Sequence, residues 1–204
     1  MKLFNDTIDQ SLNLLPKNGI VNYHGKVFPK ELADSIFSNL IEKLDWKNDE
    51  AIVYGKHYVT KRKVARYGTQ QFQYKYAVIL RKAIPFNQEL SKLKEFVELQ
   101  TNESYNSCLC NLYHDGNEGM GWHSDNEKEL KKHGAIASLS FGAERNFAFK
   151  HKTSDDKLKL LLEHGSLLLM KGEIQDYWLH RLPSTKKTTS ARVNLTFRTI
   201  ANTK

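Results

Sequence analysis

Three side chains in this sequence are of the kind that hold a divalent metal and leave part of it open. His123, Ser124 and Asp125 stand in a row. In an extended chain, residues two apart point to the same side, so the imidazole of His123 and the carboxylate of Asp125 can converge on one point. His180, far downstream at the end of a predicted strand, is the candidate third ligand. Two histidines and one carboxylate form a facial set that leaves positions on iron(II) for a co-substrate and oxygen. Each part is weak by itself. A His-x-Asp pair is equally a surface ion pair, and His180 alone says little.

The heptapeptide Arg192-Val193-Asn194-Leu195-Thr196-Phe197-Arg198 adds a second chemistry. A period of two puts Val193, Leu195 and Phe197 on a face that belongs against a core. The opposite face carries Arg192, Asn194, Thr196 and Arg198. Buried guanidinium groups need anions, and arginine suits two-pronged recognition of a carboxylate. A small dicarboxylic acid would satisfy both arginines; a solvated edge strand would need no ligand. Asn111 and Tyr113 share a strand face just upstream of His123 and could complete the same hydrogen-bonding shell, or form a cross-strand polar pair.

The elements that must position these residues are readable in outline. Pro29 opens a helical pattern with Leu32, Ile36, Phe37, Leu40, Ile41 and Leu44 on its apolar face. A second helix is expected over 87–99. Strands are expected at 53–59, 71–76, 106–113, 135–141, 146–150, 158–162, 166–170, 176–180 and 192–200, punctuated by glycines. Short strands following two helices give an α+β, mainly β fold: a sandwich or jelly roll braced by helices. Residues 1–50 read as an N-terminal arm and bracing helix, and 51–204 as a lid and core, in a single domain overall.

At 204 residues and 40% apolar composition, the chain can bury a sizeable core, which excludes disorder throughout. No apolar run is long enough to span a membrane. Cys108 and Cys110 alone cannot build a disulfide scaffold, so a reducing cytoplasm (or a nucleus, in a eukaryote) is the expectation; a monomer is expected as well. The net charge of +8 suits a polyanionic partner such as nucleic acid, or simply scattered surface lysines.

Taken together, the motifs resemble the AlkB family of Fe(II)- and 2-oxoglutarate-dependent dioxygenases. They are Asn-x-Tyr-x-x-Gly at 111–116, His-x-Asp at 123–125, Ala-Ser-Leu-Ser-Phe-Gly at 137–142, His180, and the Arg-to-Arg heptapeptide. The resemblance covers roughly residues 50–200 and implies a double-stranded β-helix. It implies that His123, Asp125 and His180 bind Fe(II), and that Asn111, Tyr113, Arg192, Asn194, Thr196 and Arg198 hold 2-oxoglutarate, with O2 as oxidant. The implied activity is oxidative demethylation of N-alkylated bases, such as 1-methyladenine and 3-methylcytosine, with release of formaldehyde.

At the substrate end, residues 53–68 look like the family's nucleic-acid lid. Tyr54 stands where a duplex-acting relative carries Phe, while Arg62 and its basic neighbours suit phosphate contact. Tyr74 and Tyr76 match an aromatic pair lining a base pocket, and Glu127 matches an acidic position near the base's exocyclic amine. Asn126 replaces an Asp common in close relatives. DNA repair is the leading expectation. An RNA demethylase of the same chemistry, a catalytically inactive nucleic-acid-binding module and a protein hydroxylase are the alternatives.

Overall fold

The computed structural model describes residues 9–53, 56–70, 73–76 and 79–201; side chains at 51–53, 73–76 and 79–82 lie outside that description. In chain order the elements are β1 (Ile20–Lys26), α1 (Lys30–Lys43), β2 (Lys47–Val53), β3 (Lys56–Gly68), β4 (Gln73–Tyr76), β5 (Ile79–Lys82), β6 (Ile84–Pro85) and α2 (Gln88–Thr101). There follow β7 (Ser107–Tyr113), β8 (Met120–His123), β9 (Ile136–Gly142), β10 (Arg145–His151), β11 (Lys157–Leu162), β12 (Ser166–Lys171), α3 (Ile174–Tyr177), β13 (Trp178–Leu182) and β14 (Arg192–Arg198).

A major sheet runs β1-β12-β9-β14-β7-β3-β2, with β6 beside β3, and a minor sheet runs β11-β10-β13-β8. β4 and β5 form a separate two-stranded sheet. The two larger sheets make the expected jelly roll. The alternation of β14 explains how. Val193, Leu195 and Phe197 are fully buried on one face, against a cluster that includes Ile36, Leu40, Leu90 and Val97 from α1 and α2. Each such burial stabilises the fold by roughly 1.5–3 kcal/mol. The other face of β14 looks between the sheets, toward the minor sheet.

Both helices form where the pattern places them. Asn87 caps α2 by accepting from the amide of Leu90 at 2.8 Å, and the helix ends on Asn102 in the left-handed region (φ 52°). The buried stripe of α1 is Ala33, Ile36, Leu40 and Leu44, whereas Leu32 and Ile41 stay exposed. The expected apolar face was therefore too wide: the sheet fixes the angle of the stripe, and the two flanking residues fall outside it.

Four further readings need correction. Residues 20–26, expected as part of an arm, are a strand that pairs antiparallel with β12. The strand expected at 176–180 starts later, as β13 at Trp178, because Asp176 and Tyr177 belong to the short helix α3. The hairpin expected over 53–68 begins earlier, since β2 starts at Lys47, and its second strand β3 is one long ribbon paired with both β2 and β7. β14 stops at Arg198, short of the expected end at residue 200.

Candidate active site

β8 is an edge strand of the minor sheet, and its pairing with β13 sets His123 directly opposite His180. The ring centroids lie 4.3 Å apart. Asp125 follows two residues after His123, and its backbone N–H donates to Gln175 Oε1 at 2.8 Å, so the buried side chain of α3 fixes the turn. One ligand atom from each of His123, Asp125 and His180 lies within 4.8 Å of the others.

The protonation states suit a cation. His123 Nδ1 sits 2.8 Å from the carbonyl of Gly121. A carbonyl only accepts, so Nδ1 donates to it and Nε2 is the nitrogen left to face the cluster. His180 is 3% exposed, and burial pushes its pKa down to about 4, so the ring is neutral at pH 7. Burial acts to raise Asp125, but the charge of Arg198, with His180 and His123, outweighs it and holds the carboxyl below its usual range. Two imidazoles and one carboxylate are the donor set that iron(II) takes.

The neutral His180 has a consequence for the metal-free protein. Its folded pKa lies below the ordinary 6.5, so between those values the unfolded chain binds a proton that the folded ring refuses. Stability from this group is then present above pH 6.5 and lost as pH falls toward about 4. The expected loss is up to roughly 3 kcal/mol. Asp125, held low, adds its own loss only at lower pH. Denaturant titrations of metal-free protein at pH 7 and pH 4.5 check this, and His180→Gln should flatten the difference.

The polar face of β14 opens into a cavity of about 600 Å³ shared with the metal-ligand cluster. Its two arginines are not equivalent. Arg198 is committed to carboxylates of the chain itself, with Nη2 3.1 Å from Asp125 Oδ2 and Nη1 3.3 Å from Glu127 Oε1. Arg192 is 2% exposed, and its Nη2 donates to the hydroxyl of Ser140 at 2.9 Å. Arg192 Nε is buried with no hydrogen-bond partner, and burial pushes the guanidinium pKa down to about 10. No carboxylate pairs with Arg192 among the described residues. A buried cation in that position fits an incoming carboxylate, which is the test that 2-oxoglutarate has to pass.

The other expected residues gather at the same cavity with differing freedom. Tyr113 packs under Arg192, whose guanidinium carbon is 5.6 Å from the ring centroid. Asn194 donates to Ser138 Oγ and to the carbonyl of Leu139, and accepts from Thr196 Oγ1. Asn194 and Thr196 thus line the cavity with their polar groups already engaged by neighbours. Asn111 accepts from Arg62 Nη1, and Arg62 Nη2 pairs with Asp49. Arg62 is therefore a buried wall residue braced by Asp49, which corrects the expectation that it reaches solvent for phosphate contact. Tyr54 lies outside the described residues. The backbone of Tyr74 and Tyr76 forms β4, and their side chains lie outside the description. Glu127 stands at the cavity beside Arg198.

Several residues that build the site were given no role of their own by sequence reasoning. Ser138 and Ser140 alternate on β9 as Asn194 and Thr196 do on β14, and that shared period was the available signal. Arg145 carried no signal. It is 2% exposed and donates to the carbonyls of Asp115, Gly116, Glu118 and Pro183, which knits the loop before β8 to the end of β13.

A model of the 2OG-Fe(II) oxygenase superfamily matches residues 19–198. The DNA oxidative demethylase ALKBH2 of Homo sapiens is 37% identical over 189 residues, covering 87% of this chain and 72% of that protein. The chain belongs to the 2OG-Fe(II) oxygenase superfamily, in its AlkB family. The human Alpha-ketoglutarate-dependent dioxygenase alkB homolog 3 is 38% identical over 188 residues, covering 87% of this chain and 65% of that protein. The solved structure of OsALKBH1 matches with a TM-score of 0.57 at 17% identity, covering 92% of this chain and 99% of that one, and shares the fold. As an AlkB-family dioxygenase the chain uses Fe(II), 2-oxoglutarate and O2. No helix among the described residues is long and apolar enough to cross a membrane.

Proposed function

We propose that this AlkB-family enzyme removes N-methyl groups from alkylated adenine and cytosine in nucleic acid, with DNA as the principal polymer. One observation carries the reading. Glu127 gives Oε1 to Arg198, but its Oε2 is buried at the cavity with no donor. A buried carboxylate oxygen without a donor costs stability, and an exocyclic amine would relieve it. Adenine presents such an amine at N6 and cytosine at N4, while thymine has a carbonyl in the matching position. Methylation at adenine N1 or cytosine N3 adds positive charge, which the same carboxylate favours. The relatives bearing the name DNA oxidative demethylase support the polymer.

In this reading His123, Asp125 and His180 would hold Fe(II), and Arg192, beside Tyr113, would take a carboxylate of 2-oxoglutarate. When bound, iron, co-substrate and oxygen supply the oxidising power that hydroxylates the N-methyl carbon. The protein's part is placement. Arg198 holds Asp125 in its ligating pose, Gln175 holds its backbone, and Phe147 and Leu182 exclude water from the cavity wall. A target base must leave its stack to enter, and damage that weakens pairing lowers that cost. The hydroxymethyl product then releases formaldehyde and the restored base.

Glu127→Gln is expected to lower kcat/KM for 1-methyladenine and 3-methylcytosine by about 10–100-fold, the worth of a charged hydrogen bond of 1.5–3 kcal/mol. Turnover of 3-methylthymine, which offers no amine, should fall much less. Equal losses on all three bases would mean that Glu127 acts only by holding Arg198. Matched DNA and RNA strands carrying the same lesion decide the polymer: faster turnover of DNA supports the proposal, and faster turnover of RNA favours an RNA demethylase.

A further inference from the structure

The inner face of the minor sheet carries His123 and His180; its outer face has a different character. None of the strands β8, β10, β11 and β13 contains an Asp or a Glu. Their outward positions include Lys150, Lys157, Lys159, Arg181 and Trp122. The register sets Lys157 directly opposite Lys150, and sets Lys159 and Arg181 on either side of Ala148. Like charges facing each other across strands destabilise a sheet unless an anion intervenes. None of these four cations makes an ion pair among the described residues. Of the carboxylates in the turns at its margins, Asp156 pairs with Lys17 at 2.9 Å and Glu163 with Lys26 at 3.1 Å, while Asp155 is exposed at the far end of the β10–β11 turn.

Trp122 organises the end of this face nearest the active site. The Lys150 ammonium lies 4.7 Å from its ring centroid and the Arg181 guanidinium carbon 4.5 Å. A cation–π contact at such a site contributes about 0.5–1 kcal/mol, enough to orient two cations side by side without neutralising either. Arg181 Nε is buried without a hydrogen-bond partner. Trp122 lies on β8, the edge strand, next in sequence to His123, so the cation pair stands one strand edge away from the cavity. The major sheet has α1 and α2 packed over it, whereas Lys157, Lys159 and Leu161 on the minor sheet are exposed.

We propose that the outer face of the minor sheet is a phosphate track for single-stranded nucleic acid, continuing from the cavity over the β8 edge. It holds the strand on one side of the target base, with Lys150 and Arg181 taking the nearest phosphate and Lys157 and Lys159 those further out. Charge complementarity selects the occupant: a face carrying these four cations, on strands without an acid, matches a polyanion. The proposal rests on the nucleic-acid reading above and extends it to how far the polymer is gripped.

The test compares the wild type with the triple variant Lys150→Ala, Lys157→Ala, Lys159→Ala. The substrates are a trinucleotide and a strand of about 16 nucleotides, a span typical of single-strand binding sites. Each carries one central 1-methyladenine. The expected result is unchanged turnover of the trinucleotide, which also reports an intact fold. On the long strand the log–log salt slope of binding should drop by about 2, near 0.7 for each lost phosphate contact. Replacing the same lysines with Arg should restore the slope. A variant whose salt slope and preference for the long strand match the wild type's overturns the proposal and leaves the nucleic-acid reading intact. If the wild type demethylates neither oligonucleotide, that reading fails and the track fails with it.

Discussion

His180→Ala is expected to abolish turnover, with a loss well beyond the roughly 10–100-fold that follows removal of a residue merely supporting a metal ligand. The reasoning is geometric. His180 faces His123 across the β8–β13 pair, and the ligand atoms of the cluster lie within 4.8 Å of one another. Removing one donor of the set leaves the metal with a histidine and a carboxylate. The fold should tolerate the change, because His180 Nδ1 has no hydrogen-bond partner among the described residues and its ring is only one member of a wall shared with Phe147 and Phe149. Binding of Co(II) as a spectroscopic probe should weaken in parallel. Near-normal turnover together with near-normal Co(II) binding would remove His180 from the metal site.

Arg192→Ala is expected to raise the 2-oxoglutarate KM by about 100-fold or more. Removing one partner of a buried charged pair costs roughly 2–5 kcal/mol, and each 1.4 kcal/mol is tenfold. Arg192→Lys keeps the charge but loses the fork and the contact with Ser140, so it should fall between the two. Arg198→Ala should behave differently. It strips Asp125 of its partner at 3.1 Å, so metal affinity should weaken while the co-substrate requirement rises. Titrations of each variant with 2-oxoglutarate and with Co(II) separate the two roles. If Arg192→Ala left the 2-oxoglutarate requirement unchanged, the cation would be structural.

Much of this site was legible because β14 is buried on both faces with different chemistry on each. Val193, Leu195 and Phe197 must meet a core, so Arg192, Asn194, Thr196 and Arg198 must meet something polar. The candidate ligand types at 123, 125 and 180 were legible only as a set, each being weak alone. Their register was not, since the pairing of His180 with His123 joins segments remote in sequence. The division of labour between Arg192 and Arg198 was invisible for the same reason: Asp125 and Glu127 reach Arg198 only after the turn beyond β8 folds back. Arg62 read as a surface cation because it sits in a basic run, yet Asp49 on the neighbouring strand draws it inward. Arg145 is the extreme case. An isolated arginine opening a strand looks solvent-exposed, and only the folded loop supplies the carbonyls that bury it. β1 was missed because its own sequence, Ile-Val-Asn-Tyr-His-Gly-Lys, has no clean period; β12 supplies the partner that makes it a strand.

The most direct test of the account is mass spectrometry of a DNA oligonucleotide carrying one 1-methyladenine, incubated with the enzyme, Fe(II), 2-oxoglutarate and ascorbate in air. The expected result is a strand with the mass of unmodified DNA, with formaldehyde and succinate formed in step with it, and none of these with His180→Ala. Succinate formed while methylated DNA and its RNA counterpart both keep their mass would contradict the assignment of N-methylated bases as the substrate.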